Sequence, residues 1–191
     1  MRICFFGDSF VHGTGDDDAL GWVGRLVAKA RREGRDVTGY NLGVRRDTSA
    51  AVAARWRREA ESRLPAEHAG RLVFSFGVND CAQGVARAES LAHAEAILVT
   101  ARQWLPTLMI GPGILADDAG TNARVCELSA DQAKLCERIG VPYLEICRLL
   151  LDSPIWSREA LAGDGAHPNR GGYAIVAEAV ASWAPWRRWI D

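Results

Sequence analysis

The sequence predicts an α/β fold of three layers, with a five-stranded parallel sheet in the order 2-1-3-4-5 between two layers of helices. Three observations support this. Short apolar runs alternate with longer stretches whose apolar residues recur near helical spacing. No repeat, low-complexity tract or linker divides the 191 residues, so 1–191 reads as a single domain. Each candidate strand also runs into a loop carrying polar, chemically capable residues, where open α/β sheets bind ligands.

The elements follow in order. Ile3–Phe6 is a short apolar run and forms the first candidate strand, followed by GDSFVHG. Trp22–Arg32 has helical spacing. Val37–Leu42 is the second strand, leading into NLGVRRD, and Thr48–Leu64 is the next helix. Leu72–Phe76 is the third strand, with FGVNDC at its end, followed by helix Ser90–Trp104. Thr107–Ile110 is the fourth strand, before GPGIL and helix Asn122–Ile139. Pro142–Ile146 is the fifth, beyond which lies WSREALAGDGAHPN, and Arg170–Trp183 is the last helix. Strands alternating with helices of this length imply βαβ units joined by right-handed crossovers.

Bulk properties exclude several functions. A formal net charge of -1 gives no general attraction to nucleic acid or to an anionic membrane. No segment approaches the roughly 18 apolar residues of a membrane span. MRICFFGDSF is too short for a secretory core and lacks a small-residue cleavage site. The five cysteines, Cys4, Cys81, Cys126, Cys136 and Cys147, are odd in number and contain no CxxC pair. They predict neither a disulfide framework nor a zinc site, and favour a reduced, cytoplasmic protein.

The loops also test known uses of such sheets. A P-loop needs Gly-Lys, and neither Lys29 nor Lys134 follows a glycine. Gly111-Pro112-Gly113 imitates a dinucleotide fingerprint only loosely, after the fourth strand and with a proline in the turn. Asp16, Asp17 and Asp18 would repel a phosphate after strand one; no EF-hand spacing follows them, and they read as a solvated turn. VPYLEICR lacks the lysine of a phosphoacceptor domain, and the G-x-S-x-G elbow is missing. No cofactor or metal is expected.

Nucleophilic serine chemistry fits better, because every group it requires is present. It needs a hydroxyl, a base, a carboxylate that orients the base, and donors for the developing oxyanion. Ser9 supplies the hydroxyl, and Asp164 and His167 lie three residues apart, so one loop can hold both. Gly43, without a side chain, allows its N–H to approach a ligand, and Asn79 offers a neutral amide. Gly7 is expected to let the chain turn sharply beneath Ser9, with Asp8 bonding backbone donors in that turn. Each piece alone reads as a turn or a cap; their order and common position at the strand ends argue for a site.

The motifs GDSF around Ser9, NLG ending in Gly43, GVND around Asn79, and DGAHPN with Asp164 and His167 resemble the GDSL or SGNH hydrolase superfamily. They cover nearly the whole chain in family order. The resemblance implies a flavodoxin-like fold and hydrolysis of esters or thioesters. Ser9 would be nucleophile, His167 base and then acid, and Asp164 its orienting partner. Ser9 and Gly43 N–H groups and the Asn79 side chain would form the oxyanion hole. Phe10 departs from the usual leucine or isoleucine, a change of packing, and Gly43 is followed by the bulky basic pair Arg45-Arg46.

The expected substrate is a small-molecule acetyl or short-chain ester. The alternatives are longer acyl esters or thioesters, as in a thioesterase or lysophospholipase, and a non-catalytic binding domain. Val11, His12, Val78, Cys81, Ile114, Leu115 and Trp156 lie in the loops that would line the pocket. Arg45 and Arg46 could bind a carboxylate or phosphate, whereas His68 and His93 read as surface residues. Trp183, Trp186 and Trp189 stand at three-residue steps. They read either as packing against the sheet or as a surface for a second copy of the chain.

Overall fold

In the computed structural model, which describes residues 1–190, β1 (Arg2–Gly7) pairs along its whole length with two neighbours. One is β2 (Thr38–Gly43), with Gly7 opposite Gly43; the other is β3 (Gly70–Ser75), with Gly7 opposite Ser75. Beyond β3 follow β4 (Thr107–Ile110) and β5 (Tyr143–Leu144), all parallel. The order is β2-β1-β3-β4-β5, as the sequence predicts.

Helices join these strands. α1 (Ser9–His12) and α2 (Gly21–Arg32) follow β1, α3 (Ser49–Glu61) follows β2, and α4 (Val78–Ala82) and α5 (Arg87–Trp104) follow β3. α6 (Ala119–Ile139) links β4 to β5. After β5 come α7 (Cys147–Leu151), α8 (Pro154–Ala162), α9 (Arg170–Ser182) and α10 (Ala184–Ile190).

The continuous apolar run of β1 makes sense because both sheet faces are covered. Alternate side chains point to opposite faces. Ile3 and Phe5 enter one core with Trp22, Leu26, Val180 and Trp186, whereas Cys4 and Phe6 enter the other with Val52, Trp56, Phe74 and Leu98. All four β1 side chains are fully buried, each apolar one contributing on the order of 1.5–3 kcal/mol. The strand that carries Ser9 at its end is thus held from both faces and both edges.

The long elements match the sequence expectation, and the differences are local. β5 shrinks from the predicted 142–146 to two residues because only Met109 and Ile110 of β4 extend far enough to pair with it. The short helices α1, α4, α7, α8 and α10 span too few turns for a helical period to show. Trp186 is buried with its ring 6.2 Å from Phe5, and Trp183 and Trp189 are half-buried against the same core. Packing therefore accounts for the three-residue tryptophan steps. Among the described residues, no helix is long and apolar enough to cross a membrane.

The cysteine expectation needs correction. Cys126 on α6 and Cys147 on α7 form a disulfide, with Cα atoms 5.9 Å apart. The bond joins two neighbouring helices, a proximity that no sequence spacing reveals. Cys4, Cys81 and Cys136 are free and buried, and burial pushes the Cys4 and Cys136 thiols up to about 12. Closing a loop with a separation of 21 residues should stabilise the fold by about 3 kcal/mol. Cys126→Ser or Cys147→Ser should therefore lower Tm by roughly 6–12 °C, and dithiothreitol should do the same to the wild type. Identical melting with and without reductant would show that the cross-link contributes nothing.

Candidate active site

The end of β1 is built for close packing. A Cβ on Gly7 would stand 1.9 Å from the Ser75 carbonyl oxygen and 2.5 Å from Val11 Cγ2. Gly7 does not adopt a left-handed backbone, so the expected sharp turn is corrected: glycine is required there by space, not by φ. The turn is made by Asp8, whose Oδ1 accepts the Phe10 N–H at 2.9 Å and caps α1. Ser9 is the first residue of α1, where N–H groups have no partner along the helix.

Chain 158 residues away returns to meet it. His167 Nε2 lies 2.7 Å from Ser9 Oγ, and His167 Nδ1 lies 2.7 Å from Asp164 Oδ2. Asp164 Oδ1 accepts the backbone N–H groups of Ala166 and His167, at 3.0 and 2.9 Å. Desolvation is the largest single influence on this carboxyl and raises its pKa. The bonds from the His167 backbone, the His167 ring and Ala166 together outweigh it and hold the carboxyl at about 2. Asp164 is thus ionised at neutral pH.

Several residues to which the chemistry assigns no role of their own fix this geometry. Phe10 lies 5.1 Å from the His167 ring and 5.5 Å from Trp156, whose Nε1 donates to the Ile114 carbonyl. Gly113 leaves room for it, since a Cβ there would come within 2.9 Å of the Phe10 ring. Glu159 accepts the N–H groups of Asn169, Gly171 and Gly172 and fixes the start of α9 directly after His167-Pro168. Asn169 Nδ2 donates to Asp17 at 2.6 Å, and the Tyr173 hydroxyl donates to the Thr14 carbonyl at 2.6 Å. The loop bearing Ser9 and the loop bearing His167 are therefore joined directly.

On the other side, Asn79 Nδ2 donates one hydrogen to the Asp47 carbonyl at 3.0 Å, leaving its second free to point elsewhere. The Asp47 carboxylate binds Arg55 Nε at 2.7 Å, and Arg55 Nη2 reaches the carbonyls of Gly7 and Leu42. Asp80 accepts both N–H and hydroxyl of Ser49, and Ser49 Oγ lies 3.1 Å from His93 Nδ1. His93, expected at the surface without a partner, belongs to this network instead.

The sequence of residues 5–175 matches the GDSL-like lipase/acylhydrolase family. The chain belongs to that family. Similar solved structures include a member of the lipolytic G-D-S-L family from Veillonella parvula DSM 2008. It is 20% identical, with TM-score 0.74 over 94% of this chain and 96% of that one. Others are the acetylxylan esterase Axe2 from Geobacillus stearothermophilus (17%, TM-score 0.77, 96% and 95%) and the psychrotrophic esterase EstA from Pseudoalteromonas sp. (18%, 0.75, 98% and 97%). At these identities the likeness speaks to fold alone. No curated protein matches the sequence.

Within this GDSL-like hydrolase the remaining expected site residues are spread unevenly. Gly43 sits against α1, where a Cβ would stand 2.2 Å from His12 N, and its own N–H donates to Asn41 Oδ1 at 3.1 Å. Val11, Val78 and Trp156 are buried in the core beneath the site. Ile114 and Leu115 line a cavity of about 820 Å³ with Asn122, Ser129 and Arg148, which does not include Ser9 or His167. His12 is exposed, with Nδ1 3.3 Å from Thr14 Oγ1. Arg45 lines a second cleft, of about 640 Å³, together with Asp164 and His167. Asp16, read as part of a solvated turn, is instead buried, paired with Arg25 at 3.0 Å and accepting the Gly21 N–H.

Asp8 yields a prediction. Burial, above all, pushes its carboxyl up to about 7; Asp80 and Asp47 add to the rise, and the Phe10 N–H opposes it. The folded chain therefore keeps this proton over a range where the unfolded chain has lost it. Stability from this source is complete below about pH 4 and is lost as pH rises to about 7. Asp8→Asn keeps a capping acceptor and cannot ionise. Its Tm should gain on that of the wild type between pH 4 and 7, with the difference level above that range. Parallel Tm profiles would show that Asp8 does not titrate this way.

Proposed function

We propose that this chain hydrolyses acetyl or other short-chain carboxylic esters through an acyl-enzyme on Ser9. The observation that carries the reading is the chain of 2.7 Å contacts from Asp164 through His167 to Ser9. Ser9 Oγ attacks the ester carbonyl carbon as its proton passes to His167 Nε2, and Asp164 stabilises the imidazolium. The carbonyl oxygen takes up negative charge, met by the Ser9 N–H and the second Asn79 amide hydrogen. Gly43 N–H joins them by exchanging its bond to Asn41 Oδ1. The C–O bond to the alcohol then breaks, and His167 gives its proton to the departing oxygen. A water attacks the acyl carbon with His167 again as base, releasing the acid and restoring Ser9.

Support for a short acyl group comes from the surroundings of Ser9, where Phe10, Val11 and Val78 are already packed into the core. The acetylxylan esterase and esterase named among the similar structures are consistent with it. A cytoplasmic location remains part of the reading, with Cys126–Cys147 the pair that a reducing compartment would open.

Ser9→Ala and His167→Ala should each lower kcat on p-nitrophenyl acetate by about 10⁴-fold or more, and the double variant should be little worse. Additive losses would separate the two roles. Asn79→Ala should reduce kcat by roughly 10²–10³ with little change in KM. A KM effect alone would make Asn79 a binding residue. Across acetyl to decanoyl esters, kcat/KM should fall with chain length; a maximum at octanoyl or decanoyl would favour a long-chain acylhydrolase.

A further inference from the structure

We propose that Arg45 reads an anionic oxygen group, a carboxylate or a phosphate, on the alcohol portion of the ester, and so selects the substrate of the Ser9 site. This rests on the hydrolytic reading of that site. His167 protonates the departing alcohol oxygen, so the alcohol portion lies on the His167 side of Ser9. Beyond the His167 ring on that side lies the cleft of about 640 Å³ lined by Arg45, Asp164 and His167, which reaches the imidazole but does not include Ser9 itself.

The charged side chains around this cleft have bonding partners within the protein, with one exception. Asp17 is bonded by Asn169 at 2.6 Å, and Glu159 by three backbone N–H groups. Asp164 is bonded by His167, and Arg170 pairs with Asp18 at 3.2 Å. Arg45 makes no hydrogen bond or ion pair with a described residue, although it lines the same cleft. A guanidinium offers two parallel N–H groups that fit a carboxylate or phosphate edge.

The backbone that presents Arg45 is a second, independent observation. Residues 44–47 form a tight turn closed by Asp47 N–H to the Val44 carbonyl at 3.2 Å. Arg46, its third residue, has φ +68°, a left-handed conformation that favours glycine or asparagine at that turn position. The surroundings hold the strained turn in place. Val44 N–H donates to the Gly7 carbonyl, Gln83 Nε2 to the Arg46 carbonyl, Asn79 to the Asp47 carbonyl, and Arg55 to the Asp47 carboxylate. Strain persisting under such constraint is characteristic of ligand-positioning segments, and the residue at the tip of this turn is Arg45.

The test uses four acetyl esters on one skeleton: 3-acetoxybenzoate, 3-acetoxyphenyl phosphate, 3-acetoxybenzamide and 3-acetoxyphenyl-trimethylammonium. Each kcat/KM is divided by the uncatalysed rate of the same ester, at low ionic strength. The wild type should favour at least one anionic ester over the neutral amide by about tenfold or more. The ratio should collapse towards 1 in Arg45→Ala, and Arg45→Glu should prefer the cation. The two anionic esters distinguish carboxylate from phosphate. A wild-type ratio near or below 1, or a preference that survives Arg45→Ala, overturns the proposal. If Ser9→Ala hydrolyses the neutral ester as fast as wild type, the hydrolytic reading fails instead. Calorimetric affinity of Ser9→Ala and Ser9→Ala/Arg45→Ala for 3-acetoxybenzoate and 3-acetoxyphenyl phosphate then decides the Arg45 assignment. Weaker binding of either anion by the double variant supports it, and equal affinities for both refute it.

Discussion

The contact of 2.7 Å between Ser9 and His167 joins side chains 158 residues apart, and the arrangement of the rest of the fold makes it possible. One end is fixed by β1, buried on both faces and paired along both edges. The other is a loop, which would ordinarily be among the more mobile parts of a protein. Here it is restrained at four points. Asp164 closes the turn before His167, Glu159 holds the start of α9, Asn169 binds Asp17, and Tyr173 reaches Thr14. Ordering the loop costs conformational entropy during folding, so that the imidazole need not be ordered when substrate arrives.

A polar layer does the same for Asn79. Asp47, Asp80, Ser49 and Arg55 tie the β2–α3 loop to α4, with the carbonyl ends of β1 and β2 drawn in by the same guanidinium. Buried networks of this kind are stiff when fully bonded, and expensive when one member is lost. Three carboxylates converge here, and the raised pKa of Asp8 shows the cost: burial first, then the proximity of Asp80 and Asp47. Arg55 bonds Asp47 directly but not Asp8, so no guanidinium offsets the burial of Asp8.

Much of this was legible in the sequence, for identifiable reasons. β1 reads as a strand because it is apolar without interruption, and the long helices because they repeat their apolar face several times. Ser9, Asp164 and His167 could be named because the chemistry needs those residue types and sheet topology brings the strand ends together. Short-range packing was not legible. Gly7 looked like a turn glycine and is a packing glycine, since the colliding atoms belong to Ser75 and Val11. His93 and Asp16 looked solvated because their partners, Ser49 and Arg25, lie on other elements. The Cys126–Cys147 bond was hidden for the same reason. Phe10 was seen as a substitution within a motif, but not as the ring that packs against the His167 imidazole.

Gly43 shows how a motif residue can be singled out in the sequence while its hydrogen bonding in the fold stays unforeseen. The lack of a side chain lets β2 approach the backbone of α1, and the Asn41 side-chain oxygen Oδ1 accepts the Gly43 N–H. Under the proposed chemistry this is a useful resting state. The bond holds the donor in place at an exposed position before substrate binds. A neutral amide oxygen is also a weaker acceptor than the alkoxide formed on attack. The Gly43 bond therefore shifts towards the substrate only as charge develops on its oxygen. That favours the transition state over the bound ester, and differential stabilisation of this kind is what raises kcat.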